Sequence, residues 1–513
     1  MAHHVDFYYL EFDNERFFTV VLLPNCSGSF PTVIFRTPYV QNTVEMPEHE
    51  IAQNCLYSFK LWLDRGYAAV FQHCRGTGKS SGAFVPYVHE REDGLALRHW
   101  IREQSFYNGE LFLIGSSYSA SLHYTTAPFE EDIKGAVFEV QDSERYRLWY
   151  RNGQMRKGHA NWHFDLYKGK CNLNKNFSIR SFSELPLKNL SQRVLNDTAE
   201  DFEQMLLAPR PTDKFWSCRF GGIEAKNATD NTHVPILLTT GYNDFYVGGM
   251  FKMWDNMDEK TKQNCAFVVS PYNHGDGFHP TNGLSFENGK RSQQFGNAYQ
   301  IDWFDNVRNG TPQPFKKGEI TYYRTFEGRW QVGFNSPVNP LTIPLGDTAR
   351  TFIFNPLNPP SFNEEGTFLS GVDGRDDVIT VYTEPLQKDL FIKGQIKAKL
   401  TVCSNRPDTS FYMCISIKKP QGDYVLRHDI TSLCYQLGDY EPNREVELDF
   451  CFDQHAFLLK AGEVLRIDIS STDNNTYVTH TNQKGPYSLQ NNTEIAQNTV
   501  NLIRSAIILP VEE

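Results

Sequence analysis

Residues 111–120 read LFLIGSSYSA: four apolar residues that fit a buried strand, then a glycine, two serines, a tyrosine and small residues that open a helix. A strand that runs through Gly-x-Ser directly into a helix makes a tight turn, and that turn lifts a serine hydroxyl above the edge of a sheet. Small residues are needed two places before and two or three places after the exposed serine, where backbones pass closely. Gly115 lies two before Ser117, and Ser119 and Ala120 follow it. Ser116 is the rival, but choosing it would put Ile114 where a small residue belongs. Ser117 is therefore the candidate nucleophile. Taken alone, the stretch also fits an ordinary strand–loop–helix connection with Ser117 as helix N-cap, so its surroundings must decide.

Those surroundings alternate between β-rich and helical runs. TVIFR (32–36), YAAVFQ (67–72) and KGAVFEV (134–140) read as strands, with helical spacing over 51–65, 90–103 and from 118 to about 127. The alternation predicts a parallel sheet covered by helices on both faces. From 141 to 233 the rhythm breaks into an aromatic, charged, irregular stretch that reads as a helical cap inserted over the sheet. The parallel pattern resumes with PILLTT (235–240) and CAFVVS (265–270), and runs through a helix at 299–308 to the segment 320–330. Beyond about 335, short runs of alternating apolar residues such as GQIKAKLTVC (394–403) are separated by turns at 421–423 and 460–462. That pattern predicts an antiparallel sandwich or jelly roll. The expected architecture is an α/β-hydrolase sheet (1–140 and 234–334), a helical cap (141–233) and an all-β jelly-roll domain (335–513).

A serine hydroxyl needs a base, and the base needs a third group to hold it. In this fold the partners follow in the order serine, acid, histidine. PILLTT leads into Gly241-Tyr242-Asn243-Asp244, and CAFVVS leads into Pro271-Tyr272-Asn273-His274. Catalytic groups of open α/β sheets gather beyond the carboxyl ends of strands, which is where all three candidates fall. Asp276 is an alternative acid, but it follows the histidine. One oxyanion donor would be the backbone N–H of Tyr118. The loop after TVIFR, Arg36-Thr37-Pro38-Tyr39, offers a phenol as a second, although Tyr39 equally fits a surface-loop aromatic. Gly76-Thr77-Gly78-Lys79-Ser80 mimics the end of a phosphate-binding loop, but His73 stands where the first glycine must be, so a turn after YAAVFQ is expected. His89, Glu90 and His99 lack the spacing of a helical zinc motif.

Length and composition set the outer limits. A chain of 513 residues exceeds one hydrophobic core, so two or three domains are expected. A hydrophobic fraction of 40%, an aromatic fraction of 14% and 26 prolines suit a loop-rich globular enzyme. The net charge of −11 provides no electrostatic footprint for nucleic acid or an anionic membrane. No apolar run is long enough to span a bilayer, and Met1–Phe12 carries charges where a secretory signal would be apolar, so a cytoplasmic location is expected. The 10 cysteines are scattered without CxxC pairs and read as reduced thiols. No cofactor and no metal are implied. The expected partner is a small-molecule ester or amide, with a homo-oligomer left open.

At these residues the chain resembles the α/β-hydrolase family that includes cocaine esterase, α-amino-acid ester hydrolases, glutaryl-cephalosporin acylases and X-prolyl dipeptidyl-peptidases. The likeness is carried by RTPY (36–39), Arg75-Gly76 and SGAFVP (81–86), Gly115-x-Ser117-Tyr118, Gly241-Tyr242-x-Asp244 and SPYNH (270–274). It continues through DTSF (408–411), Gly422-Asp423 and AGEVLRIDIS (461–470), so it covers nearly the whole chain. The resemblance implies a serine hydrolase that forms an acyl-enzyme, with a triad of Ser117, Asp244 and His274. It implies Tyr39 as the second oxyanion donor beside the Tyr118 N–H, and a jelly roll that helps wall the cleft. Ala120 departs from the glycine usual there. The family's dipeptidyl-peptidases are longer and carry an N-terminal helical domain; here sheet strands begin almost at Met1, which points to the esterase or acylase type. The alternatives are a dipeptidyl-peptidase-type aminopeptidase and an inactive scaffold that binds a partner. The cap segment Arg145–Lys170, rich in basic and aromatic residues, reads as a selector of acidic or aromatic acyl groups or as a solvated helical face.

Overall fold

The computed structural model describes residues 3–124, 130–141, 144–167, 182–217, 233–275 and 283–513. Ten strands form one sheet: β1 (His4–Phe12), β2 (Glu15–Leu23), β3 (Phe30–Thr37), β4 (Ala68–His73), β5 (Tyr107–Ser116), β6 (Ile133–Glu139), β7 (Ile236–Gly241), β8 (Ala266–Ser270), β9 (Ile320–Arg324) and β10 (Arg329–Val332). Their spatial order is β1-β2-β4-β3-β5-β6-β7-β8-β9-β10. The interior, from β4 through β9, is parallel. Both margins are antiparallel, a feature that the alternating pattern read from the sequence did not include. The reason is local. Asp13 and Asn14 adopt φ of 50° and 60°, a two-residue left-handed turn whose twist matches a hairpin, so β1 folds directly back on β2.

Strand β5 shows how the sheet is held. Successive side chains of a strand point to opposite faces. Leu111 and Leu113 join the core with Leu97 and Ile101 of α2 (Glu90–Arg102) and Tyr124 of α3 (Tyr118–Tyr124). Phe112 and Ile114 join the opposite core with Phe59 and Trp62 of α1 (Glu48–Asp64). Each such fully buried side chain contributes about 1.5–3 kcal/mol. A strand buried on both faces has no polar alternation, which is why it reads as a continuous apolar run.

The insertion between β6 and β7 contains α4 (Arg145–Trp149), α5 (Lys157–Leu166) and short helices at Leu190–Leu195 and Glu200–Met205. It also contains a hairpin, Tyr150–Arg151 against Gln154–Met155, which the reading of a largely helical insertion did not single out. Its turn is Asn152-Gly153 with φ of 46° and 81°, a pairing with a strong hairpin preference. The remainder of that stretch, 168–181 and 218–232, lies outside the described residues.

Beyond residue 337 a seven-stranded and a four-stranded antiparallel sheet close on a shared apolar core that includes Ile392, Leu400, Met413 and Ile467. The long strand Ala496–Glu512 pairs with parts of Val338–Pro344, Ala349–Phe354, Leu390–Gly394 and Lys397–Ser404. Arginines fasten this sandwich to the rest. Arg427 donates to the Tyr242 carbonyl at 2.7 Å, and Arg151 of the cap hairpin donates to the Cys451 carbonyl at 2.7 Å. No helix among the described residues is long and apolar enough to cross a membrane, and the described cysteines are free.

Candidate active site

Ser117 sits between the end of β5 and the start of α3 with a φ of 57°, a left-handed conformation rare for a residue with a side chain. Such strain costs about 1–3 kcal/mol and must be enforced by the surroundings. The Ser117 N–H donates to the Glu139 carbonyl at 2.8 Å, and its own carbonyl accepts from Ala120 N at 3.0 Å. A Cβ on Gly115 would stand 2.4 Å from the Ser119 carbonyl and 2.5 Å from Ala120 N, so only glycine permits this turn. Ser116 belongs to β5, opposite Glu139, and takes no part in the turn's apex. Ala120 fits without exposure.

Asp244 and His274 follow β7 and β8, neighbours in the sheet, and their loops are tied together. Tyr242 N donates to the Ser270 carbonyl at 2.9 Å and Asn243 N to the Tyr272 carbonyl at 3.0 Å. A Cβ on Gly241 would lie 2.1 Å from the Tyr272 carbonyl oxygen, so this approach also requires glycine. His274 Nδ1 lies 3.2 and 3.3 Å from the two carboxylate oxygens of Asp244. Asp244 is 1% exposed and also accepts the Tyr246 N–H at 3.0 Å. The His274 ring stacks on Phe245 and Tyr246, with centroids at 5.1 and 5.5 Å. Asp276, the alternative acid, lies outside the described residues.

Tyr39 follows β3 and reaches the same rim. Trp162 of α5 donates its indole N–H to the Tyr39 oxygen at 3.0 Å, which occupies an acceptor position and leaves the phenolic proton free to donate elsewhere. Tyr39 is 42% exposed, yet that surface faces the cleft. Burial in the cleft pushes its phenol well above the ordinary value, with nearby Tyr87 adding to the effect and hydrogen bonding from Trp162 and Ser117 opposing it. Tyr118 turns its phenol away from the rim. It donates to Glu90 Oε1 at 2.6 Å and accepts the Tyr87 N–H at 2.8 Å. Glu90 in turn faces Arg36, whose Nη1 donates to the Glu90 carbonyl at 3.0 Å and whose Nε donates to Gln72 at 3.0 Å. Burial pushes the Glu90 carboxyl up, against the pull of Arg36 and the Tyr118 hydroxyl.

Four residues at this rim escaped the sequence reading. Tyr246 is buried with its hydroxyl directed at Ser117, and burial raises its phenol well above the ordinary range. His159 packs edge-on against Phe245 at 5.0 Å and is held neutral, its imidazole pushed down to about 3 by burial and by Arg156. Trp162 anchors Tyr39, and Glu90, set aside as a metal ligand, anchors Tyr118. Only Tyr246 carried a legible signal, two residues beyond the acid. The turn 76–80, read as a phosphate-loop mimic, is a glycine turn whose Ser80 accepts from Phe18 N at 3.0 Å.

Ser117, Tyr39, Tyr118, Asp244 and His274 all line one cavity of about 1000 Å³, walled on its far side by the cap and the sandwich. Fold and chemistry together define the class: an α/β-hydrolase of the serine type. The chain belongs to the X-Pro dipeptidyl-peptidase (S15) family, whose model matches residues 13–276, while the X-Pro dipeptidyl-peptidase C-terminal non-catalytic domain matches residues 309–504. It is 22% identical over 584 residues to a cocaine esterase of Rhodococcus sp. (strain MB1 Bresler), covering 97% of this chain and 96% of that one. Among solved structures it is similar to an α-amino acid ester hydrolase, with a TM-score of 0.82, 18% identity, and 100% and 97% of the two chains covered. It is also similar to an aminopeptidase from a marine sediment archaeon, Thaumarchaeota archaeon, with a TM-score of 0.77, 17% identity, and 100% and 97% covered.

Proposed function

We propose that this chain hydrolyses an ester or amide through an acyl-enzyme on Ser117, with His274 as base and Asp244 as its orienting acid. The observation that carries the reading is the convergence of these side chains, from the ends of three separate strands, on one cavity edged by a strained serine. His274 Nε2 takes the Ser117 proton as Oγ attacks the acyl carbon, while Asp244 fixes the tautomer and stabilises the imidazolium. The oxyanion is held by the Tyr39 hydroxyl and the Tyr118 N–H, two donors set in place before the charge develops. His274 then returns the proton to the departing alcohol or amine, and water repeats the sequence on the acyl-enzyme.

The esterase or acylase type is favoured over a dipeptidyl-peptidase by the charges facing the cavity. A peptide N-terminus is an ammonium group and needs a carboxylate free to receive it. Of the carboxylates there beyond Asp244, Asp453 is engaged by Arg151 at 3.0 Å and Glu365 by Arg427 at 2.7 Å, and Glu364 is exposed, where water screens it. Purified protein is tested with a fluorophosphonate probe and with p-nitrophenyl esters beside X-prolyl anilides. Labelling that disappears in Ser117→Ala, with ester turnover ahead of anilide turnover, is the expected outcome. Undiminished turnover by Ser117→Ala refutes the assignment, and anilide turnover ahead of ester turnover moves the chain to the peptidase type.

A further inference from the structure

Tyr246 touches all three members of the candidate triad. Its backbone N–H donates to Asp244 Oδ1 at 3.0 Å. Its ring stacks on the His274 imidazole, with centroids 5.5 Å apart and planes 27° from parallel. Its hydroxyl is hydrogen-bonded to the side chain of Ser117. The residue is also firmly held. It is the N-cap of the helix Val247–Asn256, and its carbonyl accepts the Met250 N–H at 2.9 Å. Its ring packs on Phe245 at 4.3 Å and edge-on against His159 at 6.2 Å. A buried phenol locked by packing in this way presents its hydroxyl at one fixed point of the rim.

Ser117 needs such a point. A serine hydroxyl has one proton and two lone pairs, and its Oγ has three staggered positions to choose from. Attack requires one arrangement, with the proton toward His274 Nε2 and one lone pair toward the acyl carbon. The second lone pair is then left for a donor. Tyr39 is also hydrogen-bonded to Ser117, but it has another duty. Its oxygen accepts the Trp162 indole N–H, and its single proton is the one the proposed mechanism gives to the oxyanion. Once Tyr39 turns that proton to the oxyanion, Tyr246 is the hydroxyl left to hold Oγ. Burial keeps the Tyr246 phenol protonated well above the ordinary range, so it remains a donor throughout.

We infer that Tyr246 is a positioning residue for the nucleophile: its hydroxyl donates to Ser117 Oγ, fixes the rotamer whose proton faces His274, and leaves one lone pair directed at the acyl carbon. The inference rests on the proposal for Ser117 and adds to it a hydroxyl outside both the triad and the oxyanion pair. As the Ser117 proton passes to His274, Oγ gains negative charge, and a hydrogen bond to a charged oxygen is stronger than one to a neutral oxygen. The contact therefore strengthens toward the transition state, where it accelerates the reaction. No bond to Tyr246 forms or breaks.

The test is Tyr246→Phe, which keeps the ring on His274 and the N–H on Asp244 and removes only the hydroxyl. Two rates are measured per folded molecule: fluorophosphonate labelling of Ser117, and kcat/KM for p-nitrophenyl butyrate across pH. Both are expected to fall about 10- to 100-fold, the range for loss of a hydrogen bond to a charged group. The acid limb of the pH profile should not move, because His274 keeps its ring and carboxylate neighbours. Unchanged labelling and turnover overturn the inference. So does a lower Tm with unchanged rates per folded molecule, the mark of a merely structural hydroxyl. A rate loss with a displaced acid limb overturns it too, since the hydroxyl would then act on His274. Unsubstituted protein that neither takes the probe nor hydrolyses the ester overturns the serine mechanism and the inference with it; in every other case that mechanism stands apart from what the variant shows.

Discussion

The phenol of Tyr118 and the carboxylate of Glu90 meet at 2.6 Å beneath the turn that carries Ser117. Tyr118 thus has two separable parts: its backbone N–H, proposed as an oxyanion donor, and its side chain, pinned below the sheet rim by a buried Glu90–Arg36 group. Tyr118→Phe keeps the N–H and removes the pin. Glu90 then loses a donor and the Tyr87 N–H an acceptor, at about 1–3 kcal/mol for each unsatisfied group. We expect kcat to fall about 10-fold with KM little changed, together with a lower Tm. Steady-state kinetics and thermal denaturation of the one variant read both effects.

Tyr39→Phe removes the second proposed oxyanion donor while the Trp162 indole loses its acceptor. Loss of one oxyanion donor costs about 2.7–4 kcal/mol of transition-state stabilisation, so kcat should drop about 100- to 1000-fold. Because burial pushes the Tyr39 phenol above the ordinary tyrosine value, the donor keeps its proton where an exposed tyrosine would lose it. The kcat plateau of the unsubstituted protein should therefore extend through pH 10, which a pH–rate profile measures.

Asp244→Asn preserves shape and removes the charge that faces His274 Nδ1. The amide can turn its N–H toward Nδ1 and favour the wrong tautomer, and the expected loss in kcat is on the order of 10⁴-fold. Fluorophosphonate labelling of Ser117 should slow in parallel. A variant that labels at the original rate would remove Asp244 from the mechanism.

His73 supplies a pH signature in stability. It is wholly buried between Phe18 and Phe71, and burial pushes its imidazole down to about 3. The unfolded chain therefore binds a proton near pH 6.5 that the folded chain refuses until about 3, so stability falls as pH drops through that window. His73 Nδ1 accepts the Lys79 N–H at 3.2 Å, a role a glutamine oxygen can fill. His73→Gln should flatten the acid limb by up to one proton, about 1.4 kcal/mol per pH unit. Denaturant midpoints between pH 4 and 7 give the slope.

The core of the fold was legible because its signals are local. The central parts of β5, β7 and β8 are buried on both faces, so each reads as a mainly apolar run, and β5 and β7 carry Gly115 and Gly241 at their ends, where a close backbone approach requires glycine. The margins were less legible. The left-handed pairs Asp13-Asn14 and Asn152-Gly153 carry hairpin information in two residues, too little to outweigh the surrounding helical or parallel pattern. Trp162 and His159 lie more than 40 residues from Ser117 on a helix of the cap, and no periodicity in that helix shows which face covers the rim.

Chain order and residue type alone nominated Ser117, Asp244 and His274, which the structure brings to one cavity, because such groups are expected at strand ends and glycine leaves a recognisable mark where backbones must touch. Which charges face the substrate was decided only in three dimensions. Arg151 and Arg156 stand close together in the cap, carry the same charge and line the same cavity, yet only Arg151 forms ion pairs among the described residues, with Asp429 and Asp453 nearly 300 residues away. Pairing between ions depends on distance through space, and the sandwich that brings those carboxylates close is placed by packing that no single segment encodes.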